Sequence, residues 1–365
     1  MSDIDTVRLE DACSRLGDAA LDPAMWPEII DQISAAVRAT GAIVFQSDVR
    51  TPDIPHSAGV GDLFKAYFAG GWNALDLRAD RGVPLVLKGE KVLTDQDIVT
   101  PEEMRSLAYY NELLVPHGFQ WFAAVGFWAG PALWALSIQR TAREGPFDAQ
   151  LKPALGLLSQ KLTEVASLST AVGRIALSSA TNALNAVGQP AVAIDRFGFV
   201  LDANAGAEAL FDENIRISNR RLVVGDPEAK ICFEKLTDRL RITADTATLP
   251  CEPIVIRRRE KSPVVLRVLP VHGAARTPFL GARALLTLTT VEPKRRPTAT
   301  LLSKAFGLTP AEARLTSIIA EGLNPERAAE ELSISKVTAR NQLKAIFAKT
   351  ATHRQSELVA LLSRL

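Results

Sequence analysis

The 365-residue chain is short of cysteine, histidine and long apolar runs, and each shortage removes a class of function. Its three cysteines, Cys13, Cys232 and Cys251, are far apart and odd in number. Neither a disulfide framework nor a paired-cysteine metal site can be drawn from them, which points to a reducing compartment. The four histidines, His56, His117, His272 and His353, fall in different regions, with no HExxH, GxSxG or glycine-rich phosphate loop. No convergent set of ionisable residues can be assembled, so catalysis is not expected. No stretch reaches the ~18 apolar residues of a membrane helix. The nearest, 121–138, is broken by Gly126, Gly130 and Pro131. The opening MSDIDTVRLEDACSRL is acidic and lacks the basic-then-apolar order of a signal peptide, so a cytoplasmic location is expected.

What remains is the composition of an ordinary globular chain, with 47% apolar and 23% charged residues. At this length two or three domains are expected. The net charge of +1 hides a gradient. Residues 1–170 carry 14 basic against 22 acidic side chains, 171–296 carry 19 against 13, and 297–365 carry 9 against 6. Basic charge therefore lies towards the C-terminal end.

The order of elements predicts an α+β multidomain chain. Two helices are expected over 6–39, the second opened by Asp22-Pro23 and carrying Trp26, Ile29, Ile30, Ile33 and Val37 at helical spacing. A strand follows at Gly41, then a helix over 61–72, a loop rich in glycine and proline, and a helix over 101–115 starting at Thr100-Pro101. Strands at 120–128 and 132–140 read as a hairpin across Ala129-Gly130-Pro131. These form one α+β domain over 1–145. In the segment 146–187, Leu151, Leu155, Leu158, Leu162 and Val165 follow the a/d spacing of a coiled coil for two heptads. Two readings stand there: a linker helix that pairs two copies of the chain, or a long helix packed on its own domain.

Residues 188–292 give two strands, helices at 203–211 and 226–241, and three more strands at 252–258, 263–271 and 282–291. AVAIDRFGFVLDANAGAEALF, with Asp202-Ala203-Asn204 at the turn from strand to helix, resembles the opening of PAS domains. His272, at a strand end, and Cys232 and Cys251, outside any Asn-Cys-Arg context, give no haem or flavin signature, and no cofactor or metal is expected. The run Arg257-Arg258-Arg259 with Lys261 reads as a solvated turn, with accessory phosphate contact as its alternative. Pro293-Lys294-Arg295-Arg296-Pro297 marks a stiff hinge over 293–299.

From 300 to 365 four short helices carry start signals: Thr309-Pro310-Ala311-Glu312, Asn324-Pro325, Ser335 with Thr338, and Thr352 with Gln355. Two helices joined by a short turn, the second basic, form a helix-turn-helix pattern. Residues 335–350 hold four basic side chains and no acid. Lys336, Arg340 and Lys344 fall at i, i+4 and i+8 with Asn341 beside them, while Leu343 and Ile346 lie on an adjacent face.

The segment from Leu308-Thr309-Pro310 and Glu312 through Ala320-Glu321-Gly322-Leu323, Ala328-Ala329, Leu332, Ile334-Ser335, Thr338 and Glu357-Leu358-Val359 resembles the DNA-binding domain of LuxR/FixJ-type transcriptional regulators. The resemblance implies double-stranded DNA as partner, with Arg340, Asn341 and Lys344 reading bases and Lys336, Thr338 and Lys349 contacting phosphates. Ala339 and Thr350 stand where that family has larger aliphatics, and each lost methylene removes roughly 0.8 kcal/mol of burial.

All five tryptophans and all three tyrosines lie in the first 134 residues. They read either as core or as the lining of a pocket for a small apolar or aromatic ligand, with Tyr67, Trp72, Asp76, Tyr110, Trp121 and Trp134 as candidates. Tyr67, Trp72 and Asp76 are weakly similar to the Tyr/Trp/Asp set of acyl-homoserine-lactone-binding domains, with Leu77 where that family has proline. Asp76 otherwise reads as a helix cap. The domain resembles GAF folds more broadly. The combined expectation is a dimeric, ligand-controlled transcriptional regulator that does not bind membranes. Its rival is a ligand-free interaction protein whose upstream domains hold a protein partner while DNA binding is constitutive. A closed aromatic-lined pocket of several hundred Å³ would favour the first.

Overall fold

The computed structural model describes residues 4–48, 51–243, 252–291 and 297–363. Among these residues the chain forms two compact units: one up to Thr290, with three antiparallel sheets and their helices, and one from Val291 onward, with helices. The hinge proline-arginine run at 292–296 and Cys251 lie outside the described residues. Among the described residues no helix is long and apolar enough to cross a membrane.

The first unit opens with α1 (Thr6–Ser14), α2 (Leu16–Leu21) and α3 (Trp26–Ala36). Asp22 caps a 3-10 turn at Pro23–Met25 by accepting the Ala24 amide, which separates α2 from α3. After β1 (Gly41–Gln46), α4 (Gly61–Ala69) ends short of the expected boundary because Gly71 turns the chain at φ 71°. A helix not foreseen, α5 (Leu77–Leu87), occupies the segment expected to be a loop. Gly82 and Pro84 lie inside it, and Asp76 caps its start, as one reading of that carboxylate expects.

β2 (Val92–Thr94), α6 (Asp95–Ile98) and α7 (Pro101–Ser106) follow. Thr100 and Glu103 form the expected capping box of α7, yet the helix stops at Leu107 instead of 115. The Asn111 amide donates to the carbonyls of Met104, Arg105 and Leu107, satisfying the broken end, and 109–114 coil as a π turn. β3 (Phe119–Ala129) and β4 (Ala132–Thr141) form the expected hairpin. The sheet order is β1-β4-β3-β2.

The segment read either as a pairing linker or as a long helix packed on its own domain forms α8 (Lys152–Ala186). Leu151, Leu155, Leu158 and Leu162 are all buried, and the helix lies on β3 and α2 of its own chain. The a/d seam is therefore filled internally and is not a surface for a second copy. Burial continues through Ala166, Ser169, Gly173, Leu177 and Thr181, which carries α8 onto a second sheet.

That sheet holds β5 (Ala191–Asp195), β6 (Val200–Ala203), β9 (Ile254–Arg258), β10 (Lys261–Pro270) and β11 (Ala282–Thr290), in the order β6-β5-β11-β10-β9. Between them lie the single turn α9 (Ala205–Glu208), the hairpin β7 (Ile215–Ser218) and β8 (Arg221–Val224), and α10 (Pro227–Ile242). The hairpin was not foreseen: its turn is Asn219-Arg220, both at positive φ, with no glycine to signal it. Asn204 is buried where strand gives way to helix. Its amide donates to the carbonyls of Thr181 and Gln189, and its oxygen accepts the amides of Ala191 and Ala207. Phe279 packs edge-on against Trp26, Phe127 and Trp134, and Asp53 is bridged by Arg196 at 2.6 Å and Arg283 at 3.2 Å. The two sheets with their helices thus share one body.

The second unit contains α11 (Ala299–Phe306), α12 (Pro310–Ile319), α13 (Pro325–Glu331), α14 (Lys336–Thr350) and α15 (Gln355–Leu362), five helices among the described residues where four were expected. Thr309, Asn324 and Ser335 cap α12, α13 and α14 as their positions predict. The fourth cap differs. Thr352 bonds Thr350 and Gln355 donates to the Leu323 carbonyl, so no Thr352–Gln355 box forms.

Candidate functional site

In the first unit a cavity of about 90 Å³ lies between one face of the β1-β4-β3-β2 sheet and α4, α5 and the 109–114 turn. Strand alternation decides which side chains face it. The register sets Ile43 opposite Ser137 and Ser137 opposite Ala124, with Phe45, Ala135 and Gly126 in the next row. Alanine, serine and glycine at the centre of the sheet leave the hollow, because no large side chain stands there to fill it. Gly126 also lets α5 close over the sheet, since a Cβ there would come within 2.7 Å of Val86. Leu63, Val83, Leu93, Leu113 and Phe122 supply apolar walls.

One edge of the cavity is polar. Arg78, buried, donates to Gln139 Oε1 at 2.9 Å, to Asp95 Oδ1 at 2.9 Å and to the Gln120 carbonyl at 3.0 Å. Its guanidinium also lies 4.3 Å from the centre of the Phe122 ring. Burial alone would lower its pKa, but the Asp95 charge beside it holds it above the ordinary arginine value. Asp95 further accepts the Tyr110 hydroxyl and the Phe122 amide, each at 2.6 Å. Burial raises the Tyr110 pKa, so its hydroxyl stays a donor.

Of the six residues singled out for a pocket, Tyr67, Asp76 and Trp134 border this cavity. Asp76 caps α5 and accepts the Tyr67 hydroxyl at 2.8 Å. Trp134 belongs to the row that alternation turns to the other face, and its ring packs on Phe279. The remaining three do not line it. Trp72 packs edge-on against Tyr109, Tyr110 stands behind Arg78 on Asp95, and Trp121 is half-buried on β3 beside Arg140. Arg78, Asp95, Ser137 and Gln139 were missed. Only the fold brings them together, and the one local signal was a run of small residues facing each other across the β3–β4 hairpin.

In the second unit α14 divides by face. Ala339, Leu343, Ile346 and Thr350 are buried, while Lys336, Thr338, Arg340, Asn341 and Lys344 are all exposed. The Thr350 hydroxyl bonds the Ile346 carbonyl and Thr352, so the polar group standing in for an aliphatic is satisfied. The turn before α14 passes through Ser333 at φ 54°. Ser335 Oγ accepts the Thr338 amide at 3.0 Å. Arg340 donates to Glu326 of α13 at 2.9 Å, and this hydrogen bond keeps the Glu326 carboxyl below its usual pKa. Lys349 stands apart from the other five. Its ammonium is 2.7 Å from Glu312 Oε2, the acid of the α12 capping box, which gives it a partner inside the unit.

No protein-family model matches the chain, and no curated protein matches it. Among solved structures it is similar to the phage VqmA–DPO complex, with 15% identity, a TM-score of 0.20, and coverage of 50% of this chain and 86% of that one. It is also similar to the E. coli DhaR(N)–DhaL complex, with 13% identity, a TM-score of 0.25, and coverage of 78% of this chain and 88% of that one.

Proposed function

We propose that the chain is a non-catalytic, sequence-specific DNA-binding transcriptional regulator of the LuxR/FixJ type. Its GAF-like N-terminal part would be controlled by a small molecule, and a PAS-like part would follow it. The observation that carries this reading is the exposed row Lys336, Thr338, Arg340, Asn341 and Lys344 on α14, backed by the buried Ala339, Leu343 and Ile346. A helix built that way can rest on its own core and enter the major groove, where arginine and lysine donate to guanine and asparagine pairs with adenine. The order β6-β5-β11-β10-β9 supports the PAS-like reading. The apolar cavity with its one polar edge supports ligand control by its chemistry, while its volume of about 90 Å³ is smaller than the several hundred Å³ expected of a ligand pocket.

Two recognition helices must sit about 34–36 Å apart to meet successive major grooves, so we propose a homodimer. The outer stripe of α8 supplies a surface for it. Leu157, Leu168 and Ile175 are 71%, 48% and 68% exposed there, with Lys161 and Glu164 between them. An antiparallel copy centred between Lys161 and Glu164 sets each Leu157 against a Leu168 and each Lys161 against a Glu164. Leu168→Glu should then yield a monomer in analytical ultracentrifugation, and an unchanged dimer removes this interface.

The test of DNA binding is fluorescence anisotropy with duplexes selected from a random pool, repeated at several salt concentrations. Specific, salt-sensitive binding is expected, and Arg340→Ala should relax preference at one base position at a cost of about 1–3 kcal/mol. Uniform weakening on every sequence would make Arg340 a phosphate contact. Absence of binding even at low salt would overturn the reading. Native mass spectrometry of the purified protein tests ligand control: an added small mass is expected, and a co-purifying protein instead would favour partner control.

A further inference from the structure

This inference rests on the cavity as a ligand site and concerns what the ligand must offer. Asp95 fixes the plane of the Arg78 guanidinium, which can only donate. The Gln139 amide must therefore turn its oxygen to Arg78, at 2.9 Å, and its nitrogen away. That nitrogen donates to Ser137 Oγ at 2.8 Å. The charge on Arg78 thus dictates that Ser137 is an acceptor towards Gln139, and the hydroxyl proton of Ser137 must point elsewhere. Ser137 lies on β4 between β1 and β3, with Ile43 and Ala124 as its cross-strand neighbours, and it lines the cavity. Neither neighbouring side chain can accept a proton. The open direction is the cavity.

We propose that the cavity takes a small, neutral, largely apolar molecule carrying one hydrogen-bond acceptor, a carbonyl oxygen or ring nitrogen, seated on the Ser137 hydroxyl. Neutrality follows from the charges around it. Arg78 and Asp95 cancel one another, and the oxygens of Asp76 are engaged by Tyr67 and the Ala79 amide. A ligand carboxylate would enter apolar walls where Arg78, already paired, is the one cation among the described lining residues.

The test uses the full-length protein and probes of one shape: acetophenone, its hydrocarbon isostere α-methylstyrene, benzoate and benzylamine, titrated by calorimetry. Acetophenone and α-methylstyrene should both bind. Ser137→Ala should weaken acetophenone about 3–10-fold and leave α-methylstyrene unchanged. Benzoate and benzylamine should bind more weakly than acetophenone. Equal effects of the substitution on both neutral probes, or tighter binding of either ion, would overturn the assignment while leaving the cavity a binding site. Failure of both neutral probes to bind would remove the cavity reading itself. Should Ser137→Ala not fold, carbonyl-labelled acetophenone on the unaltered protein decides. Its carbon resonance should move downfield from the value in hydrocarbon solvent, and an unmoved resonance overturns the hydrogen bond.

Discussion

The hydroxyl of Tyr67 donates to Asp76 Oδ2 at 2.8 Å, while Oδ1 of the same carboxylate accepts the Ala79 amide at 3.0 Å. One buried side chain thus caps α5 and ties α4 to it, and the first turn of α5 delivers Arg78 to the cavity. Asp76→Ala should cost about 0.5–2 kcal/mol for the cap. It also removes the carboxylate that accepts the Tyr67 hydroxyl, and the loss of that hydrogen bond adds about 1 kcal/mol. Tyr67→Phe leaves the cap in place and should cost less. Thermal unfolding of both variants checks the order, and equal losses would show that the cap contributes little.

Glu326 holds Arg340 at 2.9 Å on the face we assign to DNA. Arg340 is largely open to water and Glu326 is half-buried at the surface, so the pair itself stabilises little. Its effect should appear in binding, because Arg340 must leave Glu326 to reach a base, and an acid near the groove repels phosphate. Glu326→Gln should raise duplex affinity about 1.5–5-fold at fixed salt, the range of an exposed ion pair. A fall in affinity would mean that Glu326 orients Arg340 for contact.

How far these sites could be read in advance differed for physical reasons. Caps are local, so Thr100, Thr309, Asn324 and Ser335 marked helix starts that the structure contains. The pattern of α14 was equally legible, since buried and exposed residues alternate within one element. The leucine seam of α8 was visible too, but spacing cannot tell whether a seam meets a second chain or its own sheet. Here β3 and α2 fill it. The cavity was the least legible. Large aromatics drew attention to Trp72 and Trp121, whereas the hollow exists because Ala124, Gly126, Ala135 and Ser137 are small. Arg78 and Asp95 are 17 residues apart and meet only when α5 lies on the sheet.

Acid should act on the second unit through Glu312. The hydrogen bond from Lys349, helped by the Thr309 amide, holds its carboxyl below the usual glutamate value. A folded pKa below the unfolded one contributes stability that is complete above the unfolded value. That contribution is lost as pH falls below about 4.3 towards the folded pKa. Glu312→Gln should therefore open 309–320 to hydrogen exchange at neutral pH, after correction for intrinsic rates, and the gap to the unaltered protein should close in acid. A gap independent of pH would assign the effect to packing alone.

Two glycines in α8 should respond to the same substitution with opposite sign. Neither has positive φ, so space decides. At Gly156 an added Cβ meets nothing within 4 Å, and Gly156→Ala should gain the ~0.5–1 kcal/mol by which alanine exceeds glycine inside a helix. At Gly173 the same atom would stand 2.7 Å from Thr277 Cγ2 and 3.0 Å from the Ala274 carbonyl oxygen. A backbone carbonyl cannot rotate aside, so α8 must lift from the 273–276 turn. Overpacking of that kind costs about 1–3 kcal/mol, enough to exceed the helix gain. Lifting this turn also disturbs Phe279, which lies 5.5 Å from Trp26 and 5.0 Å from Trp134 by ring centres. Gly173→Ala should therefore lower the melting temperature and alter tryptophan fluorescence, whereas Gly156→Ala should raise the first and leave the second unchanged. Stabilisation by both would mean that the turn yields freely, and that α8 is not what fastens the two sheets together.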